Sequence, residues 1–322
     1  MPRVDVLIVS LGGTAGLREA DAELAASLRR AGARVEVARV ARVRELRTFA
    51  AIELAWAVNA RRATARAVDA FAPRAVIYST TTAALLAPVP GAIRFDAPAA
   101  GNRPGRHGIW QRPVERRRLK DASLLVPWSE GGLAEAPSPH ADAVVVPMPV
   151  ASSGPGELRD IAAITYGANP EKKGLDTVLA AWSEAARDGE ELVVAGLAET
   201  PALRREHVRF AGMLSRSEYR ALLRRSRVFV TAPRREDYGI AQLEALADGC
   251  MLVTTPSPGP YAALPVARAL DARLVGPALA IRTALDDPVA DYAERAAIAL
   301  TPWAPGSVDR VVAERLLPRL IS

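Results

Sequence analysis

The stretch Pro233-Arg234-Arg235-Glu236-Asp237-Tyr238-Gly239-Ile240-Ala241-Gln242-Leu243-Glu244-Ala245-Leu246-Ala247-Asp248-Gly249-Cys250 decides how this chain folds. It follows the apolar run Val228-Phe229-Val230-Thr231 and precedes Met251-Leu252-Val253-Thr254. Short β-branched runs of this kind read as buried parallel strands, and residues 239–248 between them read as a helix. A strand, a glycine turn, a helix and a second strand make the repeating unit of a doubly wound α/β sheet. Gly239 stands at the helix start, where free N–H groups and the helix dipole favour an anion. Glu236 lies in the loop and Glu244 inside the helix, so both carboxylates can point into one cleft. By themselves, two glutamates eight apart are common, and acid near a helix start only complements the dipole.

The same alternation extends outward in two blocks. In the second block, residues 161–166, 191–195 and 208–211 read as strands, and 174–186 and 215–226 as helices. In the first, residues 4–10 form a strand, Gly12-Gly13-Thr14 a turn, 17–31 a helix and 35–40 a strand. A long helical pattern spans 44–71, followed by strands at 75–79, 93–96, 124–127 and 144–147, with a short helix inside 80–92. Residues 97–113 read as an irregular surface loop. Residues 147–158, with three Pro, two Gly and two Ser, read as a linker. The last element is a helix over 307–320. The pattern predicts two Rossmann-like doubly wound domains facing a central cleft.

At 322 residues, half of them apolar and 24% charged, the chain can bury large cores, and neither a disordered chain nor a disulfide scaffold fits. No apolar run is long enough for a transmembrane helix. Asp5 interrupts the place where an export signal would be apolar. The lone cysteine, Cys250, fits a reducing compartment and excludes a Cys-rich zinc site. The net charge of +6 is one-sided: residues 1–150 hold 21 basic and 14 acidic residues (+7), leaving 21 and 22 (−1) for residues 151–322. Arg103, Arg106, His107, Arg112, Arg116, Arg117, Arg118 and Lys120 cluster around Trp110, and Arg61, Arg62 and Arg66 lie near Trp56. Such a domain suits an anionic membrane surface; no nucleic-acid motif accompanies it. No zinc spacing, Walker A or GxGxxG pattern occurs.

The 233–250 stretch resembles family-4 glycosyltransferases of the GT-B fold (glycosyl transferases group 1). That family carries Glu, seven residues, then Glu in its second domain, and Glu236, Tyr238, Gly239, Glu244, Ala245, Ala247 and Gly249 match the pattern. The resemblance implies that Glu236 contacts the donor sugar. It also implies that Glu244 binds the ribose hydroxyls and that the backbone at Tyr238-Gly239-Ile240 holds the diphosphate. In Tyr166-Gly167-Ala168-Asn169-Pro170-Glu171-Lys172-Lys173-Gly174, the family's Gly-Arg and Lys-Gly positions fall on Gly167-Ala168 and Lys173-Gly174. Lys173 would neutralise the diphosphate, while Ala168 replaces the second cation; Arg234 or Arg235 would supply it. Gly212 and Met213 follow a strand where the family rests its nucleobase. Gly12 and Gly13 match the first-domain glycine turn near the phosphates or acceptor. Asp96 matches the second residue of the family's His-Asp pair, and Phe95 stands where the His belongs.

The resemblance implies three parts: an acceptor-side domain (1–150), a nucleotide-sugar donor domain (151–302) and a C-terminal helix (303–322) packing back toward the first domain. It implies transfer of a sugar from a nucleotide-sugar donor, most plainly UDP- or GDP-linked, to an acceptor hydroxyl. Transfer would proceed with retention, without a metal and without a cofactor. Glu236, Lys173 and Asp96 would be the catalytic residues, and the acceptor a glycan or glycolipid. The enzyme would be cytoplasmic and peripheral on the inner face of the membrane. The alternative is a degenerate GT-B protein that binds a sugar nucleotide or carbohydrate without transfer.

Overall fold

The computed structural model describes residues 3–43, 48–103 and 105–321, apart from the side chains of Ala15, Arg106 and His107. Two compact units result: residues 1–149 with 305–322, and residues 150–304. The start of the long helical pattern, 44–47, and the His107 side chain lie outside the described residues.

In the first unit, strands β1 (Val6–Ser10), β2 (Val35–Arg39), β3 (Ala75–Tyr78), β4 (Ala92–Phe95) and β5 (Leu124–Pro127) form one sheet in the order β2-β1-β3-β4-β5. Every pairing is parallel, and β1 is the pivot, with Val6 opposite both Val35 and Ala75. All five residues of β1 are buried, which is why the run is continuously apolar rather than alternating. The helix Ala15–Arg30 is capped by Thr14, whose hydroxyl accepts the Leu17 N–H. Thr48 caps the helix Phe49–Phe71 in the same way. Residues 144–147 do not form a full strand. Val144 and Val146 donate to the carbonyls of Leu125 and Pro127, and only Ala143 makes a bridge, so the segment is an extended border to β5.

The segment from Pro305 on belongs to this unit. Val308, Val312, Leu316 and Leu317 join Leu24, Leu28, Val6 and Ile8 in one apolar cluster. Asp309 clamps the junction, accepting from Ser27 at 2.6 Å and Arg30 at 2.7 Å. The terminal helix runs Pro305–Val311, widens to a π turn over Val312–Leu316, and resumes at Leu317–Ile321. Pro318 explains the widening, since it has no N–H for the carbonyl four residues back and its ring crowds that carbonyl.

In the second unit, β6 (Ile161–Tyr166), β7 (Leu192–Ala195), β8 (Val208–Gly212), β9 (Ser226–Thr231) and β10 (Met251–Thr254) form a sheet ordered β10-β9-β6-β7-β8, again parallel throughout. The chain starts at the centre with β6, fills one side with β7 and β8, then returns to the other side with β9 and β10. The order therefore reverses between β6 and β9, the place where open α/β sheets open a crevice at the strand ends.

Candidate functional site

The loops leaving β6 and β9 meet at this reversal. After β6, Gly167 donates to the Ala195 carbonyl, and Asn169 caps the short helix Pro170–Lys173 by accepting the Lys172 N–H. Gly174 then adopts φ +60°, and a Cβ there would lie 1.9 Å from the Ala232 carbonyl oxygen, so only glycine lets the two loops touch. Arg234 N–H donates to the Lys172 carbonyl, a second tie between them.

This register places two cation–carboxylate pairs side by side. Lys173 Nζ lies 2.6 Å from Glu236 Oε2, and Lys172 Nζ 2.6 Å from Asp237 Oδ2. Gln242 Nε2 donates to the same Glu236 oxygen at 3.0 Å, and Arg235 Nε lies 2.7 Å from Asp237 Oδ1. Glu236 and Asp237 are both buried. Burial alone would raise the Asp237 carboxyl, but Lys172 and Arg235 outweigh it and hold the group below the usual range. Glu236 is fixed through its backbone too, donating to the Pro258 carbonyl and accepting from Tyr261 N–H.

Gly239, at φ +89°, starts the helix Ile240–Ala247; a Cβ there would press on the Tyr261 ring at 3.1 Å. Tyr238 is buried and its hydroxyl accepts from Trp303 Nε1 at 3.0 Å. Glu244 faces the helix Arg216–Arg225. Its Oε1 lies 2.7 Å from Arg216 and 3.5 Å from Arg220, while Arg220 Nε reaches Asp248 Oδ2 at 2.5 Å. Arg216 and Arg220 are four apart on one helix, and Glu244 and Asp248 four apart along the other, so the charges form a ladder. Burial raises the Glu244 carboxyl, and the two arginines offset this only in part. Ser215 and Glu218 make a capping box at the start of the arginine helix. Gly212, at φ +69°, and Met213, 78% exposed, lead into it.

The second unit thus brings Lys173, Arg235, Glu236, Tyr238, Gly239 and Ile240 together, with Gly167 at the root of the lysine loop. Glu244 sits one turn into the helix, tied to the element that follows Gly212 and Met213. Ala168 is exposed and carries no charge. Of the two arginines expected to replace it, Arg234 pairs with Asp176 at an exposed position, whereas Arg235 stays in the cluster. Sequence reasoning does not single out Lys172, Asp237, Gln242, Arg216 or Arg220. The four-residue spacing of Arg216, Arg220 and Arg224 is the one signal that could have found the arginines.

Gly12, Gly13 and Asp96 belong to the first unit. Gly12 turns the chain at φ +55° after β1, and its carbonyl accepts from Arg18 at 2.9 Å. Gly13 is exposed beside Trp56. Asp96 is half-buried and accepts the Ala97 N–H at 2.8 Å. Phe95 is packed in the core, an apolar anchor rather than a polar site group. The expected basic patch is partly consumed: Arg61, Arg112 and Arg118 donate to backbone carbonyls, and Arg103 pairs with buried Glu53 at 2.8 Å. Arg116, Arg117 and Lys120 remain exposed on the helix Gln111–Asp121, where Arg117 pairs with Asp121 at 3.5 Å, and Ile109, two residues before that helix, is exposed as well. Among the described residues no helix is long and apolar enough to cross a membrane, and no three His, Cys, Asp or Glu side chains gather for a metal.

Residues 161–304 match the family model of glycosyl transferases group 1. A comparison with curated protein sequences finds no match. Solved structures share the fold at low identity. Sucrose-phosphate synthase from Thermosynechococcus elongatus superposes with a TM-score of 0.69 at 12% identity, covering 95% of this chain and 96% of its own. Anabaena HepE, in complex with UDP and glucose, gives 0.68 at 13%, covering 98% and 99%. WaaG, a glycosyltransferase involved in lipopolysaccharide biosynthesis, gives 0.62 at 14%, covering 97% and 95%. Residues 161–304 therefore match the domain of glycosyl transferases group 1, and the chain shares the two-sheet GT-B fold of these solved structures.

Proposed function

We propose that this glycosyltransferase moves a sugar from a nucleotide-sugar donor to an acceptor hydroxyl with retention of configuration and without a metal. The observation that carries the reading is the 2.6 Å contact between Lys173 and Glu236 at the β6–β9 reversal, beside the helix start at Gly239. Lys173 stabilises the departing diphosphate, with Arg235 as the second cation in place of Ala168. The free N–H groups at Gly239 and Ile240 bind phosphate oxygens. Glu236 orients the donor sugar and Glu244 holds the ribose hydroxyls. Gly212 and Met213 bound the nucleobase. The departing diphosphate accepts the acceptor's proton on the same face of the sugar, so the protein's work is positioning and charge stabilisation.

The donor in this reading is UDP- or GDP-linked; the likeness to HepE, a structure holding UDP and glucose, supports the first. The acceptor is lipid-linked. The exposed Arg116, Arg117 and Lys120 on one helix, with exposed Ile109 preceding it in the chain, support contact with an anionic membrane on its cytoplasmic face. The test is a thermal-shift titration with UDP, GDP, ADP and their sugar conjugates on the wild type and Glu244→Ala. A shift with one nucleotide that the variant loses supports the donor site and names the base. Binding without turnover on any acceptor would favour the non-catalytic alternative, and no shift with any nucleotide would overturn the donor assignment.

A further inference from the structure

Outside the donor cluster, the first unit holds a cavity of about 810 Å³ between β1, the edge strand β2 and the helix Ala15–Arg30. Its lining runs from the carboxyl ends of β1 and β2, at Ser10 to Gly12 and Arg39 to Arg42, along the helix to Arg29, on the far side of β1 from the reversal between β1 and β3. Its volume lies within the ~300–1,000 Å³ of small-ligand sites. Four arginines line it: Arg18, Arg29, Arg39 and Arg42. Arg18 and Arg29 are anchored on the backbone carbonyls of Gly12 and Val35 at 2.9 and 2.8 Å. The Arg39 and Arg42 guanidinium groups have no hydrogen-bond or ion-pair partner among the described residues. Two acids share the lining, Asp21 and Glu36. Asp21 is 3% exposed and takes the Ser10 hydroxyl on one oxygen at 2.5 Å. Its other oxygen, 3.6 Å from Arg94 Nη1, accepts no hydrogen bond from the described residues.

Four guanidinium groups against two carboxylates leave 4 − 2 = +2 on the lining. A phosphomonoester carries roughly −1.5 to −2 at neutral pH, so one such group balances it. Arginine forks suit its oxygens bidentately, and carboxylates beside them suit hydroxyls. The cavity is half open, with exposed Arg18, Arg29, Arg39, Arg42 and Glu36 at its rim and buried Asp21 deeper in, so a compact ligand with one phosphate and several hydroxyls matches both its charge and its acceptors. We infer that this cavity binds a phosphorylated sugar or polyol, with Arg39 and Arg42 on the phosphate and Asp21 and Glu36 on the hydroxyls. As an anchor for the acceptor the site rests on the reading above; as an anion site it stands without it.

The experiment is calorimetric titration of the full chain with glucose 6-phosphate, inorganic phosphate and glucose. Sedimentation with phosphatidylcholine vesicles, with and without phosphatidic acid, runs beside it. Glucose 6-phosphate binds more tightly than inorganic phosphate, and glucose binds far more weakly. Arg39→Ala/Arg42→Ala weakens the sugar phosphate by about 100-fold, near tenfold for each charge-assisted hydrogen bond removed. Arg39→Lys/Arg42→Lys recovers part of this, and Lys173→Ala leaves it unchanged. If the alanine pair instead loses only the phosphatidic-acid-dependent sedimentation, the phosphate that the site reads is lipid-borne and the sugar-phosphate assignment falls. No binding of either probe, binding equal in the alanine pair, or binding abolished in Lys173→Ala overturns the inference. UDP titrated on the same samples separates the two claims: UDP bound with no sugar phosphate bound sinks the cavity alone, and the reverse sinks the donor site alone.

Discussion

The two units are both five-stranded parallel sheets, yet they use their cations differently. At the β6–β9 reversal Lys172, Lys173 and Arg235 each face a buried carboxylate, and Arg216 and Arg220 face Glu244 and Asp248. Around the cavity of the first unit, Arg18 and Arg29 bond only to carbonyls, and Arg39 and Arg42 are unpaired among the described residues. Paired charges hold a geometry before a ligand arrives, and removing one strands its partner. Unpaired exposed charges wait for a ligand and add little to the fold. The charge cluster of the second unit is therefore fixed by its own pairs, whereas the fold of the first unit does not depend on Arg39 and Arg42.

The contrast is sharpest at Arg220. Arg220→Ala leaves Glu244 and Asp248 without their buried cation and is expected to cost about 3–5 kcal/mol in chemical denaturation, the range for one partner of a buried pair. A cost near zero would erase the distinction between the units. Lys173→Ala follows, with a loss of ~10²-fold or more in turnover, as for a preorganised donor at developing charge; turnover near wild type would remove Lys173 from the chemistry. Gly174→Ala places a methyl against the Ala232 carbonyl in a left-handed conformation, so a loss of about 1–3 kcal/mol is expected, read as a lowered Tm.

A pH series on Glu244→Gln probes the burial itself. The folded state holds the Glu244 proton more tightly than the ordinary value of 4.5. Ionising this group on raising the pH above 4.5 therefore costs the wild type stability that glutamine does not lose. The stability of the variant relative to the wild type should rise as the pH is raised above the ordinary carboxyl value of 4.5; a flat difference would mean that burial does not perturb this carboxyl. The smallest effect is expected in the first unit. Arg39→Ala/Arg42→Ala should stay within about 0.5 kcal/mol of wild-type stability, since neither guanidinium bonds to any of the described residues.

The charged cluster of the second unit was legible because its motif sets particular side chains at fixed spacing along one loop and helix. Glu236, Gly239 and Glu244 are such a set, and so is Lys173-Gly174. The partners of Glu244 were not legible, since Arg216 and Arg220 come from another helix and only packing brings the two ladders together. In the first unit a count of arginines did not distinguish those spent on carbonyls, such as Arg112 and Arg118, from those left exposed, such as Arg116 and Arg117. Phe95 illustrates the same limit. In the family pattern it stands for a missing polar group; in the fold it is a core residue at a strand end. The alternation of strands and helices was readable over most of both sheets, but residues 144–147 border β5 without forming a strand, the helix Gln111–Asp121 begins inside the stretch read as an irregular loop, and the helices Ala263–Leu270, Ile281–Asp286 and Tyr292–Ala299 were not read.

The segment from Pro305 on completes the core of the first unit by covering Leu24 and Leu28. The first unit is therefore finished on the ribosome only after the second. At about 5–20 residues per second, the nascent chain waits roughly 8–34 s between leaving residue 149 and delivering Val308 to Leu317. During that interval the second unit can close on its own uninterrupted sequence, while the first carries an open apolar seam that a chaperone would recognise. Premature termination near residue 304 should leave a foldable donor half attached to an aggregation-prone one, so the order of maturation runs opposite to the order of synthesis.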